Sequence, residues 1–194
     1  MAKYYDRQTR LILNDYKNQL KHFIVTSRFT NTTWTENQKY REKFGEKLGC
    51  IYCSPDPIST QIPIDSILFV LEMNNDLNRI MGIGMIRNRH QINRHLVYEY
   101  DNYNRYNYSG KYRIDREDMV SDDEELVMTI FDKLCFTGNK HMKRGQGLKS
   151  FPIDILYRCK CKIDLVESVC KMFKRRINTE NTYNDSSEKQ IKNL

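Results

Sequence analysis

Residues 69–88, FVLEMNNDLNRIMGIGMIRN, read as two apolar strands joined by a polar turn, and this hairpin restricts the chain to folds built around a β core. The apolar stretch 66–73 predicts a buried strand, 74–78 a turn longer than the tightest hairpins, and 79–87 the returning strand. Gly82 and Gly84 lie two apart, so in a strand they share a face. Two missing side chains on one face leave room for something to approach the backbone.

Around the hairpin the pattern alternates between helix and strand. Residues 6–20 carry a partial helical stripe through Leu11, Ile12, Leu13, Tyr16 and Leu20. The β-branched and aromatic run 21–30 predicts a first strand, with 31–33 as turn material. Helix formers then fill 34–48, with Thr35 placed as N-cap and Gly49 as the stop. Three prolines make 54–63 a loop. Further strands are expected at 96–100 and 111–116. The acidic run 122–125 precedes an apolar stretch to Leu134, so its carboxylates sit where a helix macrodipole favours them. A basic loop spans 137–149, an amphipathic helix 163–177, and a tail without apolar periodicity 178–194, expected to be mobile. The fold class is α+β: a helical extension at 1–20, one domain at 21–177 and the tail.

Charge narrows the partner. The net charge is +7, and residues 140–176 hold eleven Lys or Arg against Asp154, Asp164 and Glu167, a local excess of +8. A clustered positive field attracts polyanions, which favours RNA or DNA. No apolar run approaches the roughly 20 residues that span a bilayer, so no membrane partner is expected. Residues 1–10 are polar and charged rather than leader-like, and with six cysteines in the chain this predicts an intracellular setting with reduced thiols, in cytoplasm or nucleus. Ala2 is the single alanine beside abundant Asn, Lys, Ile and Tyr. That skew resembles proteins of large DNA viruses of protists, for which the setting would be a viral factory or virion.

Three segments carry candidate chemistry. Residues 98–112 interleave six tyrosines with Arg105 and Lys111, and aromatics among cations suit unpaired bases and their phosphates. Tyr103, Arg105 and Tyr106 are the binding candidates there, although alternating tyrosines are also ordinary on half-buried strands. In HMKRGQGLKS, residues 141–150, Lys143, Arg144, Gln146 and Lys149 surround two glycines, a composition that suits phosphate contact, and Arg175 and Arg176 extend the basic field. Cys50-x-x-Cys53 and Cys159-x-Cys161 would supply four thiolates for zinc only if the fold joined the pairs; free thiols are the simpler reading, and no metal or cofactor is expected. His90 and His95 have no acidic neighbour, and no nucleophile, base and orienter set is present, so a catalytic site is not expected.

The strand ending in FIVTS, then Trp34, Glu36 and Asn37, then the strand pair with the Gly82-Ile83-Gly84 step, resembles the PUA-like superfamily, nearest in rhythm to its EVE and YTH branches. The resemblance covers roughly residues 21–119. It implies a small mixed β-barrel with flanking helices that receives an unstacked or modified base in an aromatic pocket. Carried onto this chain, it assigns Ser27 to the pocket, Trp34 to stacking and Asn37 to a base edge. YTH domains cage a methyl group with several tryptophans, whereas this chain has one, so tyrosines would have to replace them. The KRGQG loop also resembles the pyrophosphate turn of acetyl-CoA-dependent acetyltransferases, which sets an N-acetyltransferase beside the nucleic-acid-binding module. A viral structural or interaction protein is the third reading.

Overall fold

The computed structural model describes residues 5–45 and 48–191, with side chains through residue 179. In chain order the elements are α1 (Arg7–Gln19), β1 (His22–Phe29), α2 (Asn31–Phe44), β2 (Cys50–Ser54), β3 (Ile67–Asn74), β4 (Arg79–Arg87), β5 (Tyr106–Gly110), β6 (Tyr112–Asp115), α3 (Asp122–Phe136), β7 (Lys149–Ser150), α4 (Ile153–Lys160) and α5 (Leu165–Ile191). The hairpin of β3 and β4 is the middle of a five-stranded mixed sheet ordered β6-β4-β3-β1-β7, while β2 and β5 form a separate antiparallel pair. β1 runs parallel to β3, so α2 and β2 form the crossover between them. The chain is therefore α+β, and its described strands close no barrel.

Alternation along the strands feeds two separate cores, as a sheet covered on both faces requires. Ile24, Phe69, Leu71 and Met73 pack with Phe131, Val169 and Phe173 of α3 and α5. Val25, Phe29, Leu68 and Val70 pack with Trp34, Ile51, Tyr52 and Tyr108 of α2 and the β2–β5 pair. α1 joins the first core through Tyr16, whose ring lies 5.4 Å from Tyr157 of α4.

The expected elements at 6–20, 21–30, 66–73, 79–87, 122–134 and 163–177 are present within a few residues. α2 starts earlier than the helix-former composition indicates. Thr30, not Thr35, is its N-cap: the Thr30 hydroxyl accepts from Thr33 N at 3.3 Å, and the Thr33 hydroxyl accepts from Thr30 N at 3.0 Å. The helix ends at Gly45, which takes φ +56°, rather than at Gly49. Thr30→Ala should lower unfolding free energy by about 1 kcal/mol in urea titration, because this reciprocal cap is lost.

Four segments depart further. Residues 96–100 are not a strand: the Asn104 Oδ1 accepts from Val97 N and Tyr98 N at 3.0 Å each, and its Nδ2 donates to Tyr98 O at 2.7 Å, which pins this stretch as a loop. The strand lies instead at β5, inside the tyrosine-rich segment, paired with β2. α4 follows directly after Pro152, which tolerates an N-cap position because it has no N–H to lose. α5 continues through the expected tail to Ile191, and residues 192–194 lie outside the described residues.

The glycines of β4 are occupied from within. A Cβ on Gly84 would lie 2.0 Å from the Tyr52 hydroxyl oxygen, and one on Gly82 would lie 2.8 Å from Glu72 Oε2. The space predicted on this face is filled by a buried network: Tyr52 donates to Glu72 Oε1, while Arg113 donates from Nε at 3.0 Å and from Nη2 to Oε2 at 2.7 Å. Gly82 and Gly84 thus seat the β2–β5 pair on the sheet and form no ligand wall.

Candidate functional site

Parallel strands β1 and β3 end side by side, and the chain leaves both at the same rim of the sheet. A crevice outside the carboxyl ends of parallel strands is a recurrent place for ligands. Here it holds a cavity of about 160 Å³, lined by Ser27, Arg28 and Phe29 of β1, Thr30 and Thr33 at the start of α2, Cys53 of β2, Asn75 after β3, Tyr98 and Tyr103, and Gly145 to Gly147. Thus five regions separated in sequence meet at one opening.

The side chains on its walls are held by specific bonds. Tyr98 is nearly buried, and its hydroxyl accepts from Asn37 Nδ2 at 3.3 Å. Tyr103 is partly exposed and packs edge-on against Tyr98, with ring centroids 6.3 Å apart. The glycine loop is shaped for its place: Gly145 and Gly147 adopt φ +108° and +63°, and a Cβ on Gly147 would lie 2.0 Å from the Ser54 hydroxyl. The same Ser54 hydroxyl accepts from Leu148 N at 3.3 Å and so ties the loop to β2.

Arg28 and Asn75 are oriented by neighbouring peptide carbonyls. Arg28 Nε donates to Met142 O at 2.6 Å, and Asn75 Nδ2 donates to Lys143 O at 3.1 Å. Arg28 Nη1 and Asn75 Oδ1 are each buried without a hydrogen-bond partner among the described residues. Burial lowers the Arg28 pKa from its ordinary value, yet a guanidinium stays charged at neutral pH. Both residues line the cavity, but these two atoms lie beneath its surface.

The sequence-derived candidates separate into distinct places. Ser27, Tyr103 and Gln146 line the cavity. Lys143 and exposed Arg144 belong to its loop, with Lys143 Nζ donating to Asn78 Oδ1 at 2.8 Å. Arg105 and Tyr106 line a neighbouring open cleft with Arg94, Asp101 and Asn102, just beyond Tyr103 and Asn104. Lys149 is exposed on β7.

Four assignments need correction. Trp34 is 8% exposed, meets Phe29 edge-on at 5.2 Å, and has the guanidinium groups of Arg41 and Arg113 over its ring, so it supports the wall through Phe29 rather than offering a face to a base. Asn37 is fully buried and its amide is spent: Nδ2 donates to Ile51 O at 2.8 Å and to Tyr98, and Oδ1 accepts from Arg41 Nε at 3.0 Å. It positions Tyr98. Arg175 and Arg176 both donate to the buried carboxylate of Glu124, at 3.0 and 2.8 Å, and Arg176 also donates to Asp118 O at 2.5 Å. Burial raises the Glu124 pKa, and the bonds from Arg176 and Val120 N outweigh it, so the carboxyl lies below its ordinary value. Both arginines fasten α5 to α3 through Glu124, Arg176 by several bonds and Arg175 by one while its side chain stays 56% exposed.

Cys50 and Cys53 sit in the core beneath α2, whereas Cys159 packs against the other core, so the fold does not join the two pairs. All six cysteines are free, and among the described residues no group of three or more His, Cys, Asp or Glu is placed to hold a metal ion. No described helix is long and apolar enough to cross a membrane. The KRGQG loop runs into β7 rather than directly into a helix, so the strand-to-helix setting of the acetyltransferase turn is not reproduced. No family model, curated protein or solved structure matches the chain.

Proposed function

We propose that this protein binds single-stranded nucleic acid and receives one unstacked base in the cavity at the ends of β1 and β3. The observation that carries the reading is the cavity itself, with Phe29, Tyr98 and Tyr103 among its lining, beside the basic loop with Lys143 and Arg144. Aromatic rings accept any base by stacking, and cations beside them hold the phosphates. The strand would continue past Tyr103 into the cleft with Arg105, Tyr106 and Arg94. PUA-like recognition of a flipped base is the analogous arrangement, with tyrosines in place of tryptophans.

Filter binding of unstructured RNA and DNA over a salt series tests this. The charge-reversing pair Lys143→Glu and Arg144→Glu should weaken binding to every sequence and make the slope of log affinity against log salt shallower by about 1.4, the loss of two phosphate contacts on a single strand. Tyr103→Ala should cost about 1–3 kcal/mol of binding with the salt slope unchanged, because it removes stacking and no charge. Absence of salt-dependent affinity for any RNA or DNA would sink the reading. A rise in melting temperature with acetyl-CoA would favour the acetyltransferase instead.

A further inference from the structure

A second cavity lies toward the opposite end of β1, where α1, the loop with Gln61 and Ile62, and the junction of β7 with α4 come together. It has a volume of about 260 Å³, and eight of its twelve lining residues are apolar. Phe151 and Leu156 in that lining belong to one core, and Ile62 and Phe23 to the other, so the two cores both reach this cavity. A space with such walls gains little from holding water and much from holding an apolar group.

Charge at the same place has one sign. Lys17 is the one charged residue in the lining, and its Nζ donates to Gln61 Oε1 at 3.1 Å, a neutral partner that leaves the ammonium charge unbalanced. No Asp or Glu lines the cavity among the described residues. Pro152 and Ile153, where α4 begins, also line it, and α4 has no side-chain cap, so the positive end of its dipole borders the cavity. Asp154, the acid in that first turn, is engaged by the Tyr5 hydroxyl at 2.6 Å and by Arg158 at 3.2 Å. The ligand that answers both features has an apolar body and a single negative end. A phosphate or other polyanion would leave the apolar walls unused.

We propose that this cavity binds a small monocarboxylate with an unbranched apolar chain, the chain between Phe23, Ile62, Phe151 and Leu156 and the carboxylate at Lys17. An apolar cavity of about 150 Å³ holds benzene, so the larger volume here takes roughly ten non-hydrogen atoms, the size of octanoate. The inference is independent of the nucleic-acid reading, which concerns the other end of β1.

Isothermal titration calorimetry of the full chain with octanoate tests it. Octanoate should bind about tenfold more tightly than hexanoate, because two further methylenes are buried, whereas lengthening from decanoate to dodecanoate should add less than about twofold, because the cavity is full. Octanoate should also exceed octanamide, its uncharged counterpart, by about threefold or more. Lys17→Met keeps the apolar stem and should bring the two to equal affinity with octanamide unchanged, which also shows that the cavity is intact. Lys21→Met, on an exposed lysine outside the lining, should leave the ratio as it was. No binding of octanoate at millimolar concentration, equal binding of octanamide to the unaltered protein, or a ratio insensitive to Lys17→Met overturns the inference. Tighter binding of acetyl-Gly-Leu with a free terminal carboxylate than of octanoate overturns it as well, since the occupant would then be a peptide end.

Discussion

Arg113→Met should lower the unfolding free energy by about 3–5 kcal/mol, read as a fall in the urea midpoint with little change in the slope. Glu72 is fully buried in the sheet, and the Arg113 side chain is 6% exposed. Their charges are compensated by two-pronged contact, by the Tyr52 hydroxyl on Glu72, and by Asp115 on the guanidinium. Burial disfavours the charged guanidinium, and Glu72 more than reverses this, raising the Arg113 pKa. Removing the arginine leaves a carboxylate where water does not reach, and that uncompensated charge is the cost. The control is the double replacement Glu72→Leu with Arg113→Met, which removes both charges and should recover most of the loss. If the single and double variants are equally unstable, the charge argument is wrong and shape alone matters.

Gly84→Ala should be nearly as damaging, with a loss of about 3–5 kcal/mol from overpacking together with displacement of a hydrogen bond to a charged group. The added methyl falls on the Tyr52 hydroxyl, and Cys50 Sγ lies 2.9 Å from the same point. Tyr52 has no free space to retreat into, being fully buried and bonded to Glu72. Tyr52→Phe removes the overlapping oxygen, so the two substitutions should be non-additive, the pair costing less than the sum of the singles. Strict additivity would show that the contact is not what makes glycine necessary.

The elements whose apolar pattern is local were legible in the sequence: the hairpin, the first strand, and the helices at 7–19, 122–136 and from 165. What could not be read were elements decided by distant partners. β2 is five buried residues between loops, too short to show a period, and its cysteines drew attention to thiol chemistry instead. The tyrosine-rich segment has alternation along much of its length, and only the Asn104 staple and the pairing with β2 decide that the strand is at 106–110 rather than 96–100. The candidate site shows the same division. Ser27, Tyr103 and the basic loop stood out by type and position. Arg28 and Asn75 carry no local signal, because the carbonyls that orient them are 114 and 68 residues away along the chain. Trp34 and Asn37 were conspicuous for their residue types, yet packing placed them behind the wall.

The brief pairing of β7 with β1 bears on the order in which the molecule assembles. Its two registered pairs, Val25 with Ser150 and Thr26 with Lys149, join positions up to 125 and 123 residues apart, whereas the β3–β4 turn closes over a few residues. Loop closure on that scale is slow to be rewarded, so local hairpins and helices form ahead of it. The rim where β1 and β3 end acquires its covering loop only after this long-range contact is made. A nascent or partly folded chain would thus have a sheet but no cavity at this rim, and the cavity would be completed only with the last step of folding.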